Sequence, residues 1–144
     1  VNPRYATIDV GTNTVLLLVA ERRRGALVPV VERAEITRLG RGVDATGRLD
    51  PAAIQDTVAV LTAYASEARW LGVEDPAIAC VATSAARDAG NGAEFFEAVK
   101  AAAGLTPEVI PGDEEARLVW LTSWKDFGAG DGSAGAAGAR ALAV

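Results

Sequence analysis

Apolar and polar residues alternate along this chain in two rhythms, a short one at the start and a helical one further on. Residues 4–10 and 14–22 are short aliphatic runs separated by Gly11, Thr12 and Asn13, which predicts two strands joined by a tight turn. The stretch "ALVPVVERAEITRL" (26–39) predicts a third strand, with Arg22, Arg23, Arg24 and Gly25 as its connecting turn. Three consecutive strands of this kind form an antiparallel meander. "GRGVDATGRLD" then reads as a loop punctuated by Gly40, Gly42 and Gly47. Asp50 caps a helix whose first position is Pro51. Its apolar face is Ile54, Val58, Leu61, Ala65 and Ala68, at spacings of 4, 3, 4 and 3, and it ends at Gly72. Ala77 to Ala82 is apolar throughout and is expected to be a central strand. Asn91 with Glu94 three residues on resembles a capping box for a helix through about Ala103, stopped by Gly104. "PEVI" predicts a short strand, and Asp113 to about Trp124 a third long helix. The predicted order is β-β-β-α-β-α-β-α, an α/β domain with a mixed sheet and helices against it.

From Phe127 the pattern stops. "FGAGDGSAGAAGAR" is rich in glycine and, after Phe127, has no large apolar residue, so it is expected to be a mobile loop, and "RALAV" resumes a strand pattern.

Composition narrows the chemistry. With 144 residues, half of them apolar, the chain can build a core that buries roughly 68–70% of its unfolded surface. The net charge of -5 argues against a broad nucleic-acid or anionic-membrane surface, while fourteen Lys and Arg leave room for a small basic pocket. Histidine is absent, which removes the usual general base, every His-based triad and the commonest zinc ligand. Catalysis would have to run on carboxylates, hydroxyls, backbone amides and Arg. The single cysteine, Cys80, cannot form an internal disulfide and is read as a buried thiol. No apolar run is long enough to span a membrane, and a reduced cytoplasmic setting is expected.

Three segments combine groups that suit anion chemistry, and each has an ordinary structural explanation beside the functional one. Asp9-Val10-Gly11-Thr12-Asn13-Thr14 is a hairpin turn, or a phosphate loop in which backbone amides and hydroxyls approach an anion and Asp9 holds a divalent cation. Ala82-Thr83-Ser84-Ala85-Ala86-Arg87-Asp88 lies where an apolar strand hands over to a helical segment. Its hydroxyls can cap that helix, and Arg87 either grips a phosphate or pairs with Asp88. Gly112-Asp113-Glu114-Glu115 places carboxylates at a helix start, where the macrodipole favours them, and a Glu there is also the natural base in a chain without histidine. The glycine-rich tail, a fourth candidate, lacks a strand–loop–helix frame and reads as a linker.

Taken in order, Asp-Val-Gly-Thr-Asn-Thr (9–14), "RLGRGVDATGRL", "VATSAARDAGNG" and "VIPGDEEARLVW" resemble the exopolyphosphatase / guanosine pentaphosphate phosphohydrolase family along residues 5–121. The resemblance implies the actin-like, sugar-kinase-like (ribonuclease H-like) ATPase fold, in which two related subdomains close around a phosphate-binding cleft. It also implies roles. Gly11, Thr12 and Asn13 would form the first phosphate loop, with Thr12 and Thr14 in place of serines more often found there. Asp9 would help hold Mg²⁺. Thr83, Ser84 and Arg87 would face the phosphate chain, and Glu115 would be the catalytic base with Glu114 beside it. The implied substrates are inorganic polyphosphate and guanosine pentaphosphate, with neither nucleic acid nor membrane as partner, and a homodimeric parent enzyme is expected. Family members continue from a strand like "RALAV" into a second loop, Asp-Ile-Gly-Gly-Gly-Ser, and this chain stops at Val144. Residues 1–126 are therefore expected to be the amino-terminal phosphatase subdomain, 127–139 a flexible loop, and 140–144 the start of a strand leading into an absent second subdomain. Such a piece would be nearly inactive alone. Two other functions fit the same motifs: a non-catalytic phosphate- or alarmone-binding regulator, and a kinase-like phosphotransferase.

Overall fold

Alternation in the first two strands decides which side of the sheet is covered. In β1 (Arg4–Val10) the residues Ala6, Ile8 and Val10 are buried, and in β2 (Thr14–Arg23) so are Val15, Leu17 and Val19. Tyr5, Leu16 and Leu18 point to the other face and remain exposed among the described residues. Those residues are 1–110 of a computed structural model, without the side chains of Ser84 and Ala85. The expected helix from Asp113, the glycine-rich stretch and the final strand lie outside them, as do Glu114 and Glu115.

β3 (Ala26–Ile36), β4 (Ile78–Ala82) and β5 (Glu108–Val109) complete a five-stranded sheet of order β3-β2-β1-β4-β5. The meander is antiparallel, with Arg4 opposite Glu21 and Val10 opposite Val15. β4 lies parallel to β1, Ala6 pairing with Ile78 and Val10 with Ala82, and β5 lies parallel to β4. β4 is thus an interior strand, as its apolar run predicts. The edge strand β3 carries Pro29, and the register slips there, between Val19 and Ala20 of its neighbour. A residue without an N–H is tolerated at an edge and a bulge for that reason. β3 also ends at Ile36, short of the predicted Leu39, because Thr37 and Arg38 turn their amides to the Asn13 carbonyl.

The helices are α1 (Val43–Thr46), a single turn inside the stretch read as loop, α2 (Pro51–Trp70), α3 (Ser84–Asp88) and α4 (Gly92–Ala103). The Asp50 side chain caps α2 through the Ala52 amide, as predicted. The buried stripe of α2 runs through Ala53, Thr57, Leu61, Tyr64, Ala65 and Ala68, so Ile54 and Val58 sit at its half-buried border. Thr57 is admitted to this stripe because its hydroxyl donates to the Ala53 carbonyl 2.7 Å away. With Phe95 and Val99 of α4, these residues cover the inner face of the sheet.

The proposed capping box of α4 is not formed. Asn91 makes no side-chain cap, and its amide instead spans Leu49, accepting from the Leu49 N–H at 2.7 Å and donating to its carbonyl at 3.1 Å. Leu49 is buried, so its backbone groups have no water to turn to, and the buried Asn91 amide serves them instead of the helix start.

At the opposite end of the sheet Glu21 is buried and charged. Arg23 at 2.7 Å, Asn2 at 3.1 Å and Arg4 at 3.0 Å donate to its carboxylate and hold its pKa down to about 2, from an ordinary 4.5. A depressed carboxyl stabilises the fold above the unfolded pKa, and the contribution is lost as pH falls toward the folded one. Urea unfolding of the wild type should therefore become easier between about pH 4.5 and pH 2. Glu21→Gln should flatten that part of the profile, and an undiminished slope in the variant would assign the acid sensitivity to other carboxyls.

Candidate functional site

β1, β3, β4 and β5 all run the same way, so their carboxyl ends open on one edge of the sheet. In an open α/β sheet this is the edge where ligands bind. The hairpin turn after β1, the segment after β3 and the helix after β4 meet there.

The hairpin turn is held from both sides. Gly11 donates to the Thr14 carbonyl at 3.0 Å, and a Cβ on Gly11 would lie 2.9 Å from that oxygen, so any side chain would force the turn open. On the β3 side, Thr37 and Arg38 both donate to the Asn13 carbonyl at 3.0 Å and Gly40 donates to the Thr12 carbonyl at 2.9 Å. In a trans peptide the N–H points opposite to the C=O. With the Thr12 carbonyl directed at Gly40, the Asn13 amide is directed away from it, and Thr12 and Asn13 are themselves exposed.

On the β4 side Thr83 ties the strand ends together. Its amide at 3.1 Å and its hydroxyl at 3.2 Å both donate to the Val10 carbonyl, the last residue before the turn. Thr83 is buried and does not cap α3, so its hydroxyl proton is committed inside the protein. Arg87, one turn further on, is exposed and reaches both oxygens of Asp88, at 2.8 and 3.4 Å. This pair holds the Asp88 carboxyl below its usual range. Behind α3, Gly92 is the first residue of α4, and a Cβ there would run into the Ala86 carbonyl. Glycine at that position lets α3 and α4 pack closely.

Asp9 lies on the sheet face away from the helices, in line with Tyr5 and Thr7, and one of its carboxylate oxygens is buried. This placement answers why a carboxylate interrupts an apolar strand: it is on the alternate face. Burial pushes the Cys80 thiol up to about 12, and the Asp9 charge adds to the shift. Cys80 is therefore a protonated core residue rather than a nucleophile. Among the described residues no three His, Cys, Asp or Glu converge as a metal cage. One carboxylate at this edge would suit Mg²⁺ if a phosphate binds there, since Mg²⁺ takes one or two carboxylates and completes its shell with phosphate and water.

The structure thus brings Asp9, Gly11, Thr12, Asn13, Thr83 and the helix bearing Arg87 to one edge. A groove of about 750 Å³ is lined by Arg41, Arg48, Asp50, Asn91 and Glu94 among others. A smaller cleft of about 340 Å³ contains Thr37, Arg38 and Arg41. Sequence reasoning passed over these three residues. The Arg-Leu-Gly-Arg-Gly run was visible, but only the hydrogen bonds to Thr12 and Asn13 place it beside the turn.

Residues 18–131 match the Ppx/GppA phosphatase family. The chain is 41% identical to exopolyphosphatase 2 of Mycobacterium tuberculosis over an alignment of 150 positions, covering 98% of this chain and 44% of the relative. It is 30% identical to a guanosine-5'-triphosphate,3'-diphosphate pyrophosphatase of Aeromonas hydrophila, covering 90% of this chain and 26% of that enzyme. The crystal structure of the Aquifex aeolicus family member superposes with a TM-score of 0.80 at 38% identity, over 88% of this chain and 40% of that one. The actin-like ATPase fold is thereby established, and the chain spans less than half the length of these relatives. By the matched span, the identities and the fold alike, the chain belongs to the Ppx/GppA phosphatase family.

Proposed function

We propose that the protein to which this chain belongs hydrolyses the terminal phosphoanhydride bond of inorganic polyphosphate or of guanosine pentaphosphate. One observation carries most of the weight: Thr83 binds the residue that precedes the turn, which puts the Asp9–Thr14 loop and the Arg87 helix on the same edge. The relatives' names, exopolyphosphatase and guanosine-5'-triphosphate,3'-diphosphate pyrophosphatase, support the same bond type. In this reading the outward amide of Asn13 and the hydroxyl of Thr12 bind the terminal phosphate. Ser84, next to Thr83 in the sequence, would add a hydroxyl, and Arg87 exchanges Asp88 for a phosphate oxygen. Thr83 sets the distance between the two strand ends. Glu115, with Glu114 next to it, orients and deprotonates the attacking water for in-line displacement. Asp9 would hold Mg²⁺, which when bound supplies positive charge against the phosphate oxygens. The working enzyme is taken to be a cytoplasmic homodimer.

The test is phosphate release from long-chain polyphosphate, with and without magnesium, by a chain extended through the second loop. Magnesium-dependent release is expected from the extended chain and little from the 144-residue chain. Binding without release would favour a regulatory module, and transfer to an added acceptor would favour a kinase-like enzyme.

A further inference from the structure

Two features at the end of β3 are unexplained by the fold and unused by the site above. Thr37 is only 8% exposed, and its hydroxyl has no hydrogen-bond partner among the described residues. A buried hydroxyl left unpaired is costly, so its retention points to a ligand. The neighbouring Arg38 has φ +53°, a left-handed conformation that glycine adopts freely and a long side chain does not. Its guanidinium is exposed and makes no hydrogen bond or ion pair among the described residues. The other arginines of this edge are engaged: Arg41 with Asp50, Arg48 with Glu94 and Arg87 with Asp88. Strain and an unpaired hydroxyl in adjacent residues are both held in place by the amides of Thr37 and Arg38 on Asn13.

Both residues line the 340 Å³ cleft between the end of β3 and the first turns of α2, together with Arg41, Ala52, Ala53 and Asp56. Two guanidiniums there face one lining carboxylate, and Arg41 is held only loosely, 3.5 Å from Asp50. A hydroxyl and two arginines lining one cleft make up the donor set of a phosphate site. We propose that this cleft binds a second phosphoryl group of the substrate, remote from the one that is cleaved, through Thr37, Arg38 and Arg41. The inference rests on the reading of the Asp9–Thr14 turn as the site of the terminal phosphate. β3 and β4 are three strand spacings apart, about 14 Å, with the turn between them. A single orthophosphate cannot reach from the Arg87 side to the cleft, whereas a chain of phosphates can. The cleft would therefore make affinity depend on the number of phosphates carried.

The experiment is calorimetric binding of long-chain polyphosphate and of orthophosphate, with magnesium, to the 144-residue chain and to Thr37→Val, Arg38→Gly and Arg87→Ala. Each variant's thermal midpoint is measured alongside. Long-chain affinity should fall about two- to tenfold in Thr37→Val and about ten- to a hundredfold in Arg38→Gly, with orthophosphate affinity unchanged. Thermal midpoints should stay level or rise in both, since one variant removes an unpaired hydroxyl and the other a strained backbone. A residue kept for the fold would do the reverse, so a loss of affinity with a lowered midpoint in both variants overturns the proposal. Unchanged long-chain affinity in Arg38→Gly, or no polyphosphate binding by the parent chain, overturns it as well. Arg87→Ala separates the two readings. If it alone weakens binding, the terminal-phosphate site stands and the cleft falls; if Arg38→Gly alone does so, the cleft stands without Arg87.

Discussion

Replacing Glu115 by Gln, in a chain extended through the second loop, should lower turnover roughly 10²- to 10⁴-fold and change substrate affinity only a few-fold. Gln keeps the size of the side chain and its hydrogen-bonding carbonyl while the basic oxygen is lost. Within these 144 residues there is no histidine to take over the proton. Glu114→Gln should be milder, since a carboxylate beside the base contributes through charge alone. Steady-state kinetics with polyphosphate would check both. Activity within a few-fold of wild type in Glu115→Gln would move the base elsewhere.

The largest effect on stability is expected from Asn91→Ala. It would strand the amide and the carbonyl of Leu49, both inside the protein, at about 1–3 kcal/mol for each unpaired group. Losing several kcal/mol from a domain whose whole stability is on the order of 5–15 kcal/mol is close to unfolding. Asn91→Asp should fall between, because it keeps the acceptor for the Leu49 amide and loses the donor. Glu94→Gln is the control: its contact with Arg48 is 3.7 Å long and exposed, so a change of no more than about 0.5 kcal/mol is expected. Equilibrium unfolding in urea compares all three. If Asn91→Ala costs no more than the control, the clamp on Leu49 contributes nothing to stability. The effect should also reach the candidate site, since Gly90 donates to Gly47 next to the clamp and α3 lies just before it.

The elements themselves were legible because their signals are local. Alternation marked β1 and β2, Asp50 with Pro51 marked the start of α2, and Gly104 marked the end of α4 in a left-handed cap. What escaped was set by partners far along the chain. An Asn followed three residues later by Glu has the same spelling whether it caps a helix or clamps a loop. Only the burial of Leu49, 42 positions away, decides between them. Thr37 and Arg38 read as the tail of a strand, and the carbonyl of Asn13 drew them out of it. The candidate site divides the same way. Asp9, Gly11 and Arg87 stood out through residue type, while the commitment of the Thr83 proton to Val10 is a consequence of parallel pairing that no local pattern encodes.

That parallel pairing also orders events while the chain is being made. β1 finds β2, and β2 finds β3, almost at once, because they follow directly in sequence. The other edge of β1 waits for β4, about seventy residues later. At the usual pace of synthesis, about 5–20 residues per second, the nascent chain carries an open row of backbone donors and acceptors for roughly 4–14 s. Such an edge pairs with whatever extended segment is near, including the next chain on the same messenger. Shielding by the ribosome exit or by a chaperone would matter most in this interval, before Ile78 to Ala82 emerge and zip onto Ala6 to Val10.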